Sequence, residues 1–244
     1  MKRTILILLM VICMKSIAKE TFFSQGNQAY ANENYDNAIS IYDSIISSGL
    51  ESSEVFYNIG NCYYKTQDWA NAIWHYEKAL RLNPNNQNAS YNLKLTKLKK
   101  IDQIEVIPKI FYKKWWNNLI SLFSTKNWQI LSILSIWIAL TIQLLKRNLK
   151  YKRYPLSVFF NTLVLILFSI YYSSYQENYS KTQAIIFASS VNVNSAPTVN
   201  STNLFSLHSG TKVEVVDEIG NWLNIEIENG DTGWIQRSSC KKLN

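Results

Sequence analysis

The sequence predicts a multidomain membrane protein that joins an α-helical repeat solenoid, a transmembrane helical hairpin and a small all-β barrel. Three observations support this prediction. The segment 19–104 repeats with a period of 34 residues, two apolar runs without a charge follow at 128–145 and 156–175, and four of the seven glycines fall among short β-branched runs near the end. Each pattern occupies its own part of the 244 residues, so we expect separate modules in series.

Residues 1–18 are typical of a secretory signal peptide. A basic start precedes an apolar run at 4–14, and Ser16 and Ala18 supply small residues before a cut at 18/19. The alternative is an uncleaved anchor, but an apolar run of 11 residues is short for a hydrocarbon core of ~30 Å.

The repeat has small and aromatic residues at fixed positions. Three pairs of matching residues lie 34 positions apart, namely Gly26 and Gly60, Ala38 and Ala72, and Tyr42 and Tyr76. The small residues allow two antiparallel helices to approach closely, the aromatic ring fills the groove beside them, and Pro84 ends the second helix. This pattern resembles the tetratricopeptide repeat. A third copy begins at Gln87 and stops after one helix, which would cover the open end of the stack.

The resemblance implies a peptide-binding groove lined by the first helix of each repeat. Carried over by position, the groove residues are Phe23, Asn27, Tyr30, Tyr57, Asn61, Tyr64, Lys65, Tyr91 and Leu95. Asn27 and Asn61 are one repeat apart, so we expect both to point away from the helix-packing seam and to clamp a peptide backbone. The alternative is that this Asn is a common repeat residue without a specific role. A groove of two and a half repeats is short and predicts a weak, transient interaction.

Residues 105–126 include an amphipathic helix. Apolar and polar residues alternate at helical spacing from Ile110 to Phe123, with Trp115 and Trp116 assigned to the apolar face. Placed just before a span, this pattern predicts an interfacial helix on the outer leaflet of the bilayer. The alternative is a helix packed on the preceding domain.

Two transmembrane helices are predicted at 127–146 and 154–175, joined by a basic loop at 147–153. The connector KRNLKYKR has five positive charges and no acid, which makes the loop cytoplasmic and both soluble modules periplasmic. The alternative is a buried hairpin of a soluble protein. Four lysines flank the first span on its outer side, against this rule: Lys109, Lys113, Lys114 and Lys126.

Uncharged polar residues lie near the cytoplasmic end of each span. An amide in hydrocarbon is costly when it is unpaired. We therefore expect Asn161 to point toward the first span, with Thr141 or Gln143 as its nearest polar partner. The alternative is that Asn161 faces lipid near the headgroups.

The net charge of +8 does not predict nucleic-acid binding. Eight of the 25 basic residues lie in the leader or in the connector between the spans, and the other 17 balance 17 acidic residues. The excess therefore reflects targeting and topology, and no nucleic-acid partner is expected.

Residues 182–244 predict a small barrel of five short strands, with Asn229-Gly230 as a hairpin turn. The segments that resemble the bacterial SH3-like domain are 190–197, 207–211, Gly220-Asn221-Trp222 and Gly233-Trp234. Asn194 replaces the Arg of that motif. The resemblance implies binding of peptidoglycan or peptides, or protein contacts. Trp222 and Trp234 are either core residues or a ligand face.

No catalytic set is found, so we expect neither an enzyme, nor a cofactor, nor a metal site. His75 and His208 have no Cys or His at ligand spacing. A disulfide between Cys62 and Cys240 is possible outside the cytoplasm but would join two modules.

The order of modules, together with WWNNLISLFSTKNWQILSILSIWIAL, resembles the BatE-type protein of bacterial aerotolerance operons. That resemblance implies residence in the inner membrane beside von Willebrand A domain proteins and a MoxR-type ATPase. The implied role is an adaptor in an envelope-stress complex, with the lipid bilayer and protein partners as its contacts. The alternative is an envelope sensor that binds peptidoglycan through the SH3-like domain.

Overall fold

The computed structural model describes residues 22–104, 110–149, 154–177 and 181–243. The predicted signal peptide and most of the basic loop lie outside the described residues. Within them, α-helices precede β-strands. The helices are α1 (22–31), α2 (Tyr35–Ser47), α3 (Ser53–Lys65), α4 (Trp69–Leu82), α5 (Gln87–Lys97), α6 (Phe111–Ile120), α7 (Thr125–Leu149) and α8 (Tyr154–Tyr175).

Helices α1 to α5 form the repeat region, and its two full repeats share their local structure. A Cβ added to Gly26 would lie 2.5 Å from the Tyr42 ring, and one added to Gly60 would lie 2.6 Å from the Tyr76 ring. Glycine is therefore required where the ring of the second helix touches the first helix. Tyr42 and Tyr76 are both fully buried.

The loops between the helices of each repeat also match. Glu33 and Gln67, which are 34 residues apart, both adopt positive φ, at 60° and 61°. The next residue in each loop, Asn34 or Asp68, accepts a hydrogen bond from a backbone N–H of the first turn of the following helix. Helix α5 packs on α4 through Ala89.

Helices α7 and α8 form a hairpin whose outer faces are apolar and exposed. Thr125–Leu145 and Ser157–Tyr175 are long and apolar enough to cross a membrane, and 22% and 11% of these spans are buried within the protein. This exposure disfavours the alternative of a soluble hairpin core. Gln143 Nε2 donates a 3.2 Å hydrogen bond to Asn161 Oδ1, which confirms the prediction for Asn161.

Helix α6 packs against the hairpin. Its Ile120 joins Trp128 and Ile170 in a buried cluster, and Trp116 packs against that cluster. Trp115 is 64% exposed and does not share the packing of Trp116. Consecutive helical residues point about 100° apart, so only one of the two rings can face the hairpin.

Residues 182–243 form the β domain, a seven-stranded antiparallel sheet. Its strands are β1 (Thr182–Ile186), β2 (Ser190–Asn194), β3 (Asn203–His208), β4 (Lys212–Ile219), β5 (Trp222–Glu226), β6 (Thr232–Gln236) and β7 (Cys240–Lys242). The hydrogen-bonded order is β3-β2-β6-β5-β4-β1-β7.

Two features of the predicted barrel were wrong. The prediction counted five strands and omitted β3 and β7. Strand β3 (NLFSLH) has no β-branched residue, and β7 (CKK) has only three residues, two of them lysines, and is defined by its pairing with β1. In addition, the described strands do not close into a barrel, because β3 and β7 are the two ends of the hydrogen-bonded order.

Candidate peptide-binding groove

An open groove of about 650 Å³ lies along the first helices of the two repeats. It brings together three of the predicted groove residues, Phe23, Asn27 and Tyr57. The full lining is Phe23, Asn27, Glu54, Tyr57, Asn58, Asn83, Asn85, Asn86, Gln87 and Asn88. The groove is therefore rich in carboxamides, with two aromatic rings and one carboxylate.

The other predicted groove residues do not line this groove. Tyr30 packs edge-on against Tyr35, and Tyr64 packs edge-on against Trp69. Asn61 and Leu95 are half-buried, and Lys65 is exposed at the end of α3. Tyr91 lines a separate depression of about 420 Å³ beside α5, together with Pro84 and Lys94.

Asn27 supports the fold of its repeat as well as lining the groove. Its Oδ1 accepts a 2.7 Å hydrogen bond from the Tyr42 hydroxyl and a 2.9 Å hydrogen bond from Asn58 Nδ2. Burial raises the pKa of Tyr42 to about 12, so the phenol remains a hydrogen-bond donor at neutral pH. The expectation that Asn27 points away from the packing seam therefore needs correction, because its oxygen partners a buried tyrosine.

The same arrangement recurs one repeat later. Asn61 Oδ1 accepts a 2.7 Å hydrogen bond from the Tyr76 hydroxyl and a 2.8 Å hydrogen bond from Asn92 Nδ2. Asn58 and Asn92 were not among the predicted groove residues, although they are 34 residues apart and so follow the period of the repeat.

The β domain docks on the second helix of the second repeat. Trp74 Nε1 donates a 3.0 Å hydrogen bond to the carbonyl oxygen of Lys242, and Arg81 Nη1 donates a 2.8 Å hydrogen bond to that of Leu243. The Lys241 ammonium lies 3.8 Å from the centre of the Trp74 ring, within the range of a cation–π interaction.

Glu77 is the ionic centre of this interface. Its carboxylate lies 3.1 Å from Lys97 Nζ of α5 and 2.8 Å from Lys212 Nζ of β4. Burial raises the pKa of Glu77, but the two lysines lower it by more, to about 2. Glu77 is therefore ionised at neutral pH and joins the two modules.

Asp102, which follows α5, makes a second connection. Its carboxylate accepts hydrogen bonds from the backbone N–H of His208 at 2.7 Å and from the Thr211 hydroxyl at 2.6 Å, and His208 Nδ1 lies 2.7 Å from it. Burial raises the pKa of Asp102, whereas these contacts lower it, and the net shift is downward.

The docked β domain leaves the groove open. Across the described ranges, no groove-lining residue makes a hydrogen bond or ion pair to the β domain. The repeats therefore have an occupied face on α4 and a free groove along α1 and α3.

Trp222 and Trp234 lie outside the core of the β domain. The core contains Leu223, Ile225 and Ile235, which alternate with the tryptophans along β5 and β6. Both tryptophans are half-buried on the other face. Asn224, which pairs with Trp234, has a buried Oδ1 that finds no hydrogen-bond partner in the described part of the chain.

The remaining candidate residues are packed within their own modules. Cys62 is buried in the repeat core and Cys240 packs against the β-domain core, and both are free thiols. His75 stacks on Tyr63, and burial lowers its pKa to about 4. Within the described residues, no group of His, Cys, Asp and Glu could hold a metal ion.

Two segments of the chain are similar to known families. Residues 53–86 match the model of the tetratricopeptide repeat, and residues 189–240 match that of the bacterial SH3 domain. No curated protein matches the chain. The resemblance to BatE-type proteins therefore stays a prediction. The two matches indicate a protein-binding chain, and the second is also compatible with peptidoglycan binding.

Proposed function

We propose that this chain is a membrane-anchored adaptor, without enzymatic activity, that binds an extended segment of a protein partner in the groove of its repeats. The observation that carries the proposal is the open groove lined by Asn27, Asn58 and Tyr57 beside an occupied α4 face. Carboxamides both donate and accept hydrogen bonds, so they suit the N–H and C=O groups of a peptide backbone.

The proposed location is the bacterial inner membrane, with both soluble modules in the periplasm. The acid-free connector between the spans supports this orientation. A hydrogen-bond contact of 2.8 Å between the hydroxyls of Thr125 and Ser174 joins the start of α7 to the end of α8. The repeats and the β domain therefore emerge at the same end of the hairpin.

The proposed partners are von Willebrand A domain membrane proteins of an aerotolerance or envelope-stress complex. This part of the proposal rests on the resemblance of the module order to BatE-type proteins. The groove contributes one physical constraint: among the described residues, Glu54 is its lining carboxylate and no lysine or arginine lines it. A neutral or basic segment therefore fits better than an acidic one.

A second candidate function is peptidoglycan binding by the β domain. The position of Trp222 and Trp234 on the face opposite the core favours it. Indole rings provide flat surfaces for sugars or peptides.

Partner capture from solubilised membranes tests the adaptor function. The groove variant Glu54→Lys/Asn88→Lys changes two exposed lining residues. Its matched control is Asp36→Lys/Ser40→Lys, two exposed residues on α2. We expect mass spectrometry to find the partner with the wild type and the control but not with the groove variant. Equal capture by all three would overturn the groove as the binding site. Binding to isolated peptidoglycan tests the second function. It is compared between the same proteins and the variant Trp222→Ala/Trp234→Ala.

A further inference from the structure

Within the described residues, three lysines near the outer end of the spans have no anionic partner. Lys113 and Lys114 lie on α6, and Lys126 lies in the first turn of α7. All three are exposed, and their ammonium groups make no ion pair or side-chain hydrogen bond with the residues that the structure describes. From Ile110 to Gln176 the sequence has no acidic residue. These charges are therefore not neutralised by their own segment of the chain.

Three sides of α6 face different surroundings. Asn117 and Ser121 line a cavity of about 330 Å³ between the repeats, the β domain and α6. Ile120 and Trp116 face the hairpin. A third side is exposed and carries Phe111, which is 83% exposed, and Trp115 one turn later.

The packing of α6 also sets its depth. Trp128 Nε1 donates a 2.9 Å hydrogen bond to the carbonyl oxygen of Ile120, next to the end of the hairpin where Thr125 meets Ser174. Helix α6 is therefore held at the end of both spans. Aromatic side chains at this depth are typical of the boundary between headgroups and acyl chains.

We infer that Lys113, Lys114 and Lys126 form a binding surface for anionic phospholipids of the outer leaflet. The ammonium groups pair with lipid phosphates, while Phe111 and Trp115 enter the boundary below them. The inference rests on the proposed membrane placement of the chain. It also explains why lysines lie on the outer side, against the usual charge rule: they bind headgroups and do not set the topology.

The positive charge of the three lysines complements anionic phospholipids and favours them over a protein partner. An exposed lysine contributes about 1 kcal/mol to the attraction of a chain to an anionic membrane surface, which corresponds to about a fivefold change in affinity. The exposed Phe111 and Trp115 and the exposed apolar residues of α7 and α8 add apolar surface beside these lysines.

The test uses the full chain in nanodiscs of phosphatidylcholine, with or without a minor fraction of fluorescent phosphatidylglycerol. The variant is Lys113→Gln/Lys114→Gln/Lys126→Gln. The control is Lys65→Gln/Lys94→Gln/Lys99→Gln, which removes the same charge from exposed lysines of the repeat region. Energy transfer from the tryptophans to the labelled lipid measures its enrichment around the protein. A third arm adds inorganic phosphate in excess at constant ionic strength.

We expect the wild type and the control to enrich phosphatidylglycerol, and the variant to lose about fivefold in apparent affinity for each lysine removed. Equal enrichment by the variant and the wild type would overturn the inference. Loss of enrichment upon addition of phosphate would also overturn it, because the site would then be one for free anions. Failure of the wild type to enter neutral nanodiscs would instead contradict the proposed membrane placement, which keeps the two outcomes distinct.

Discussion

The indole N–H of Trp74 donates a 3.0 Å hydrogen bond to the carbonyl oxygen of Lys242, 168 residues further along the chain. The ammonium of Lys241 lies over the same ring. A single side chain of the repeats therefore holds β7 by two contacts, and the β domain is docked rather than tethered by its linker alone.

Trp74→Phe should loosen this docking. The substitution keeps an aromatic ring but removes the N–H, and the loss of one such hydrogen bond costs about 1 kcal/mol, or about a fivefold fall in exchange protection. Hydrogen exchange of the full chain should show this fall in β7 and in β1, which pairs with it. Trp69→Phe is the control, since Trp69 begins α4 and packs edge-on against Tyr64. Equal exchange in both variants would contradict a role for the N–H.

Acid should weaken the protein in two steps, and the first belongs to His75. Burial lowers the pKa of His75 to about 4, whereas an unfolded histidine titrates near 6.5. The folded state thus binds the proton less well, so stability is full above about pH 6.5 and falls as the pH drops toward 4. His75→Phe should remove this step from a series of thermal melts between pH 7 and 4. Persistence of the step in the variant would assign it to another group.

The second step belongs to Glu77. Its pKa is lowered to about 2 in the folded chain, against roughly 4.3 when unfolded. Stability from its pairing with Lys97 and Lys212 is therefore present above about pH 4.3 and lost as the pH falls toward 2. Glu77→Gln should abolish this acid step and, because it leaves two lysines unpaired at the interface, destabilise the protein at pH 7 by about 3 kcal/mol. Chemical denaturation at both pH values measures the two effects.

Asn27→Ala should destabilise the first repeat, by about 1–3 kcal/mol, because it leaves the buried Tyr42 hydroxyl without its acceptor. The double variant Asn27→Ala/Tyr42→Phe removes both partners and should recover most of that loss. Denaturant unfolding of the four proteins gives the coupling energy. Additive effects would show that the hydrogen bond contributes nothing.

The proposed topology predicts a labelling pattern. In a chain freed of its own cysteines, single cysteines in the repeats and the β domain should react with a membrane-impermeant thiol reagent in intact spheroplasts. A cysteine at Asn148, beside the basic connector, should react only after the membrane is permeabilised. The reverse pattern would place both soluble modules in the cytoplasm.

The contacts within the repeats and between the two spans could be predicted from the sequence. The spacing of Gly26 and Gly60 identified the close contacts with Tyr42 and Tyr76, and the polar residues of the spans predicted the bond between Gln143 and Asn161. These contacts depend on the period of the repeat or on the short connection between the spans, and both can be seen directly in the sequence.

The docking of the β domain was not predictable in this way. Trp74, Glu77 and Asp102 have no pattern in their own segments that distinguishes them from solvated or core residues, and their partners lie more than a hundred residues away. Strand β7 was missed for a related reason: Cys240, Lys241 and Lys242 have no strand pattern of their own and form a strand by pairing with β1.

Hydrogen bonds from α4 to the end of the β domain close the chain into a ring. The ring runs from α4 through α5, α6, the hairpin and the β domain, and further hydrogen bonds connect its members. A ring of packed elements has little freedom to stretch. In the proposed membrane placement, the groove is therefore carried at a fixed height above the lipid, and a partner has to present its segment at that height. The distance of a partner's segment from the membrane would then decide whether it binds, separately from the chemistry of the groove.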